Sequence, residues 1–158
     1  MMITKTPRFY VKAKDKNGKW VKGFYNELLP YTPCVAEDID MEQMEYYISR
    51  PSFSDWGMPR TLELVPIDKG TLSGYTGLDF PRTYETDKKP EKSPLYENDI
   101  VRIGEGTEEV YGLVKWDQDI CAYVIVNKNN ENISIVSDIY PIFVAGNKFD
   151  NSDLLEKI

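Results

Sequence analysis

Residues 95–147 read LYENDIVRIGEGTEEVYGLVKWDQDICAYVIVNKNNENISIVSDIYPIFVAGN. Short apolar runs recur in this stretch at 100–103, 110–116, 122–126, 133–136 and 142–145. The separators GEGTEE, DQD and NKNNEN are dense in Gly, Asn and Asp. Strand-length apolar runs alternating with turn-forming residues predict a small antiparallel barrel or sandwich, not a βαβ unit. The following NSDLLEKI opens with capping residues and carries Leu154, Leu155 and Ile158, so a terminal helical turn is expected to dock there.

Upstream, Phe9, Tyr10, Val11, Lys12, Ala13 and Lys14 alternate into DKNGK and out again through Trp20, Val21, Lys22, Gly23, Phe24 and Tyr25. Asn17-Gly18 supplies the two residues that best tolerate the positive φ of a tight hairpin turn. Pro30 and Pro33 make residues 26–33 irregular, since neither can donate to a ladder. Met41 and Met44, three apart, suit a helical turn within 37–44, followed by a strand at 45–49. Turn residues surround Trp56 in 50–59, and 61–67 reads as a strand ended by Pro66. The segment DFPRTYETDKKPEKSP is dense in proline and charge, with Phe80 and Tyr84 its large apolar side chains. Such a segment buries too little apolar area to order itself. The expected organisation is an N-terminal β-rich region over 1–78, an exposed linker over 79–94, and a barrel with a short helical turn over 95–158.

Composition restricts the chemistry. Histidine is absent, which removes the commonest general base, the usual partner of a Ser or Cys nucleophile and a frequent metal ligand. A net charge of -7 sets the overall field against phosphate, so nucleic acid is not an expected partner. Cys34 and Cys121 stand far apart with no CxxC, as buried thiols of a reducing cytoplasm would. No apolar run approaches membrane-spanning length.

Four features could carry function, and each has a plainer structural account. Glu97 and Asp99 would share a face on a regular strand, as paired catalytic or metal-binding carboxylates do; holding a turn is the plainer duty. Asp117 beside Trp116 suggests an oxygen-ligand loop, but lacks the glycine and distal glutamate of a calcium site. Trp20, Trp56 and Trp116, with eleven tyrosines, could stack on bases or line a protein interface, though small barrels also fill their centres with such rings. Three lysines in KKPEKSP read as solvated chain. No catalytic residue, cofactor or metal is assigned.

The succession Tyr75-Thr76-Gly77-Leu78, Leu95-Tyr96-Glu97-Asn98-Asp99-Ile100-Val101, Gly112-Leu113-Val114-Lys115-Trp116-Asp117, Val144-Ala145-Gly146-Asn147 and Leu154-Leu155 resembles the YopX family of bacteriophage and prophage proteins. Its motifs TGL, IYEGDIV, G-V-W, GN and LL recur there in the same order. The resemblance covers roughly the C-terminal half, with Lys22-Gly23-Phe24-Tyr25 and Asp55-Trp56-Gly57 as less specific upstream echoes. Asn98 stands where the family has glycine, and the connector after TGL is longer here. Asparagine tolerates the left-handed conformation better than other side-chain-bearing residues, so the turn is expected to survive.

The resemblance implies a β-rich phage protein with a small SH3-type C-terminal barrel. Residues and resemblance together give a mainly β fold: a hairpin-led β (or α+β) region, then a five-stranded SH3-like barrel. The expected role is non-catalytic association with a host or phage protein in the bacterial cytoplasm, with homo-oligomerisation. An acidic mimic of nucleic acid is the alternative, but the interspersed lysines disfavour it, and a carboxylate enzyme would need a deep pocket around Glu97, Asp99 and Asp117. Trp20, Trp56, Tyr96, Glu97, Asn98, Asp99, Trp116 and Asp117 are the candidate interaction or motif residues.

Overall fold

Gly18 sits at φ +77°, and the Asp15 carboxylate accepts from the backbone N–H groups of Asn17 and Lys19 at 2.8 and 2.9 Å. The N-terminal hairpin is thus closed by the residue types that announce it. It belongs to a computed structural model that describes residues 6–31, 40–52, 61–82, 91–104, 109–137 and 141–158. The chain divides into two units, one of residues 9–72 and the other of residues 1–8 with 73–158.

The first unit contains β1 (Val11–Asp15), β2 (Trp20–Leu28), β3 (Glu45–Ser52) and the opening part of β4 (Thr61–Pro81). A 3-10 turn at Met41–Gln43, capped by the Asp40 carboxylate on Glu42 N–H, supplies the helical turn expected before β3. Its predicted beginning at 37–39 lies outside the described residues. The strands run antiparallel in the order β1-β2-β3-β4, and β1 pairs with β4 as well. Ala13, Val21 and Ile48 are fully or almost fully buried, with Val11, Val65, Ile67 and Leu72 packed on them.

The second unit takes the end of β4 and adds β5 (Lys92–Tyr96), β6 (Asp99–Ile103), β7 (Val110–Asp117), β8 (Ala122–Val126), β9 (Asn132–Ile135), β10 (Ile142–Asn147) and α1 (Ser152–Leu155). The five apolar runs of the sequence become β6 to β10, and the helical turn becomes α1. The sheet order β10-β6-β7-β8-β9 is a meander whose last strand returns beside its first, as an SH3-like arrangement requires. Phe80, Leu95, Val101, Val114, Ile125, Ile142 and Val144 form the core. Burying each such side chain stabilises by about 1.5–3 kcal/mol before conformational entropy is counted. The fold is mainly β, in two antiparallel sheets.

Three local expectations differ from the structure. β2 continues to Leu28 and β3 to Ser52, through Pro51, where irregular chain was expected; residues 32–39 and 53–60 lie outside the description. The strand at 61–67 does not end at Pro66. Pro66 faces Tyr47 in the terminal pair of the β3–β4 register, where its missing N–H interrupts nothing, and β4 runs on to Pro81. Residues 79–81 and 92–94 of the expected linker are strand: Asp79 pairs with Pro94 and Phe80 with Ser93, and the Phe80 ring is buried in the core. Residues 83–90 lie outside the description.

Candidate binding surface

Glu97 and Asn98 form the turn between β5 and β6, so Glu97 and Asp99 do not sit on one regular strand. Asp99 is buried, and its Oδ2 accepts from the Tyr96 backbone N–H at 2.9 Å. Asn98 adopts φ +66°, the left-handed conformation in which the expected substitution for glycine is tolerated. Its backbone N–H donates to the Val114 carbonyl at 2.8 Å, its carbonyl accepts from Lys148 N–H at 3.0 Å, and its Nδ2 donates to Ser73 Oγ at 3.1 Å. Glu97 N–H donates to the Gly74 carbonyl at 2.8 Å. One turn therefore ties together β4, β7 and the segment after β10. Tyr96 is buried with its ring 5.6 Å from that of Tyr75. At Asn98 and Asp99 this is the chemistry of a structural knot, in which buried polar groups are matched by partners.

The remaining motifs make similar joints. Gly77, at φ +91°, lies within the register shift between Tyr75 and Asp79, so TGL is a β-bulge in β4. A Cβ on Gly146 would approach Asn151 Oδ1 to 2.4 Å, which explains the glycine where α1 folds back. Asn147 then organises the return: its Oδ1 accepts from Phe149 and Asp150 N–H, and its own N–H donates to Asn151 Oδ1.

Trp116 stays 43% exposed, its indole N–H donating to Gln118 Oε1 and its ring set edgewise against Tyr123 at 5.1 Å. Burial and the nearby Glu97 carboxylate push the Tyr123 phenol up. Asp117 accepts from the Asn132 amide and from Asp119 and Ile120 N–H, and these bonds hold its carboxyl below the usual range. It stabilises a hairpin end. Trp20, in the other unit, lies under the ammonium groups of Lys12 and Lys14. Trp56 and Cys34 lie outside the described residues, and Cys121 is exposed where burial was expected. It occupies a tight turn at φ +51°, which faces solvent. Among the described residues no three His, Cys, Asp or Glu side chains converge as a metal site, and no helix is long and apolar enough to cross a membrane.

A model of the YopX protein family matches residues 14–156. The chain belongs to the YopX family. The match extends across the N-terminal region, well beyond the half in which the motifs are most specific. No curated protein and no solved structure matches significantly. In this YopX-family chain, then, the described motif residues are mostly joints of the fold.

The surface that stands out instead lies apart from the C-terminal motifs and shares Lys22 and Phe24 with the less specific upstream one. The β2–β3 and β3–β4 registers place Phe24, Asn26 and Leu28 beside Ser49, Tyr47 and Glu45, and these beside Leu64 and Pro66, with Pro51 opposite Leu62. Alternation puts all of them on the face opposite Ile48. Phe24, Leu28, Leu62 and Leu64 are 45%, 42%, 73% and 48% exposed. The polar pair at the centre satisfies itself, Asn26 Nδ2 donating to Ser49 Oγ at 3.0 Å. The TLEL pattern at 61–64 carried the signal: its leucines alternate against Val65 and Ile67, so both strand faces are apolar where an antiparallel sheet usually keeps one wet.

Proposed function

We propose that this YopX-family protein is a non-catalytic, phage- or prophage-borne interaction module of the host cytoplasm. It self-associates and engages a protein partner through the outward face of β2, β3 and β4. The observation that carries this reading is the cluster of Phe24, Leu28, Leu62 and Leu64, solvent-exposed on one sheet face. Exposed apolar side chains around a satisfied polar centre are what interfaces cover. A second copy suits the face because its two ends differ in charge. Exposed Lys22 lies beyond Phe24 on β2, and exposed Glu45 sits opposite Leu28, so a two-fold antiparallel approach sets lysine against glutamate twice.

The test is sedimentation of the full chain and of Phe24→Ser/Leu64→Ser across micromolar to high-micromolar concentration. The wild type should associate with rising concentration and the variant should remain monomeric while keeping its far-ultraviolet spectrum. A wild type that is strictly monomeric throughout removes self-association, and a variant that associates as well as the wild type removes this face. Affinity capture from infected host cells with the same pair then asks whether the partner uses the same side chains.

A further inference from the structure

The second unit contains a cavity of about 260 Å³ lined by Leu113, Lys115, Val126, Asn127, Lys128, Asn130, Leu155 and Ile158. Leu113 and Val126 are cross-strand partners of β7 and β8 and form its floor. Leu155 and Ile158, at and beyond the end of α1, form an apolar side wall. The loop after β8 supplies Asn127, Lys128 and Asn130 to the lining. Lys115 follows Leu113 on the same strand face and donates from Nζ to Asn130 Oδ1 at 2.6 Å. An ammonium has three N–H donors, so this bond does not exhaust it.

The charged side chains of the lining have the sign opposite to the net charge of the molecule. The chain has 26 acidic side chains against 19 basic ones, yet the cavity is bordered by two lysines and two carboxamides and by no carboxylate side chain. Glu131, next in the loop, turns its Oε2 to Asn127 Nδ2 at 2.8 Å. An apolar floor with cationic and amide donors at the rim selects a ligand with a hydrocarbon body and an anionic head. A cation is repelled there, and a neutral alcohol of equal length gains the floor without the lysines. The volume, below that of common drug-sized sites, matches a short chain.

We propose that this cavity is a binding site for a small amphipathic carboxylate, with the alkyl group on Leu113, Val126, Leu155 and Ile158 and the carboxylate between Lys115 and Lys128. The test is amide chemical-shift titration of the full chain with three probes of one length: hexanoate, hexan-1-ol and hexylammonium. Hexanoate should give saturable shifts at residues 113, 126, 127, 155 and 158, hexanol should bind several-fold more weakly, and hexylammonium should leave these amides unmoved. The Lys115→Gln/Lys128→Gln variant should lose about fivefold in hexanoate affinity, a value at the upper end for exposed ion pairs, with hexanol affinity unchanged. The proposal is overturned if hexanoate gives no saturable shift at these residues, if hexanol binds as tightly, if hexylammonium shifts them, or if the folded variant binds hexanoate like the wild type. Leu155→Asn is the second variant: it attacks the wall without touching charge and should weaken both hexanoate and hexanol, and equal binding by it would also refute the site.

Discussion

Asn98 offers the sharpest test of how the β5–β6 turn is held, because two substitutions there separate backbone conformation from side-chain bonding. Asn98→Gly keeps φ +66° at no steric cost and removes the Nδ2 bond to Ser73. That bond contributes about 1 kcal/mol, partly offset by easier access to the left-handed region, so the net loss should be about 0–1 kcal/mol. Asn98→Ala loses the same bond and also forces a Cβ-bearing residue without local hydrogen-bonding capacity into that region, which adds about 1–2 kcal/mol. The expected loss for alanine is therefore about 2–3 kcal/mol. With a urea m-value of about 1–3 kcal/mol/M, this moves the midpoint by roughly 1 M. The assay is a urea titration read from the folded-state amide resonances of β6, β7 and β8, with Ser73→Ala added to each variant. Ser73→Ala should cost the wild type about 1 kcal/mol more than it costs the Asn98→Gly chain. If alanine and glycine at 98 destabilise equally, to within about 0.5 kcal/mol, the conformational part of the reasoning is refuted.

Other outcomes follow from the same joints. Asp99→Ala should cost about 1–3 kcal/mol in denaturant, since the buried Tyr96 N–H loses its acceptor, whereas Glu97→Ala should stay within about 0.5 kcal/mol; comparable losses would undo the assignment of the Asp99 carboxylate, and not that of Glu97, to holding the turn. Gly146→Ala, which drives a methyl into Asn151 and Leu154, should lower the unfolding midpoint and loosen hydrogen-exchange protection at Asn147 and Asn151; unchanged protection would contradict the packing. Burial, and secondarily the bond to Asp79, raises the Tyr75 phenol above its ordinary value of 10.0. The unfolded chain then ionises first, so the stability from Tyr75 is complete below about pH 10 and lost as pH rises above it. Tyr75→Phe should flatten that alkaline decline in stability curves taken from about pH 9 to 11; an identical slope would show that Tyr75 is not responsible.

Where side-chain pattern and turn chemistry agreed, strands could be read directly from the residues. Asn17-Gly18 and the five runs after residue 99 carry alternation or continuous apolar character between unambiguous turn formers, and each became a strand. β4 was illegible beyond Pro66 because Gly70, Gly74 and Gly77 mimic a loop, while pairing partners far along the chain decide the outcome. Phe80 was hidden in a similar way: its neighbours Asp79, Pro81 and Arg82 are polar or ladder-breaking, yet the ring is buried among Leu95, Val101 and Val114. Of the candidate residues, Tyr96, Asn98 and Asp99 lie in and beside the β5–β6 turn. The TLEL alternation marks a second apolar strand face, but whether that face stays exposed depends on which neighbouring element covers it, and the local pattern does not contain that information.

The continuity of β4 has a consequence for anyone dividing this protein. A fragment starting at residue 83 would hold all of β5 to β10, and by composition it looks like a clean excision. It would nonetheless leave behind the Phe80 plug, the hydroxyl of Ser73 and the carbonyl of Gly74, the groups on which the β5–β6 turn and the core rest. Dissection at the compositional break therefore cuts through the ladder that completes the downstream sheet's interior, and a stable excised piece has to begin at or before residue 73.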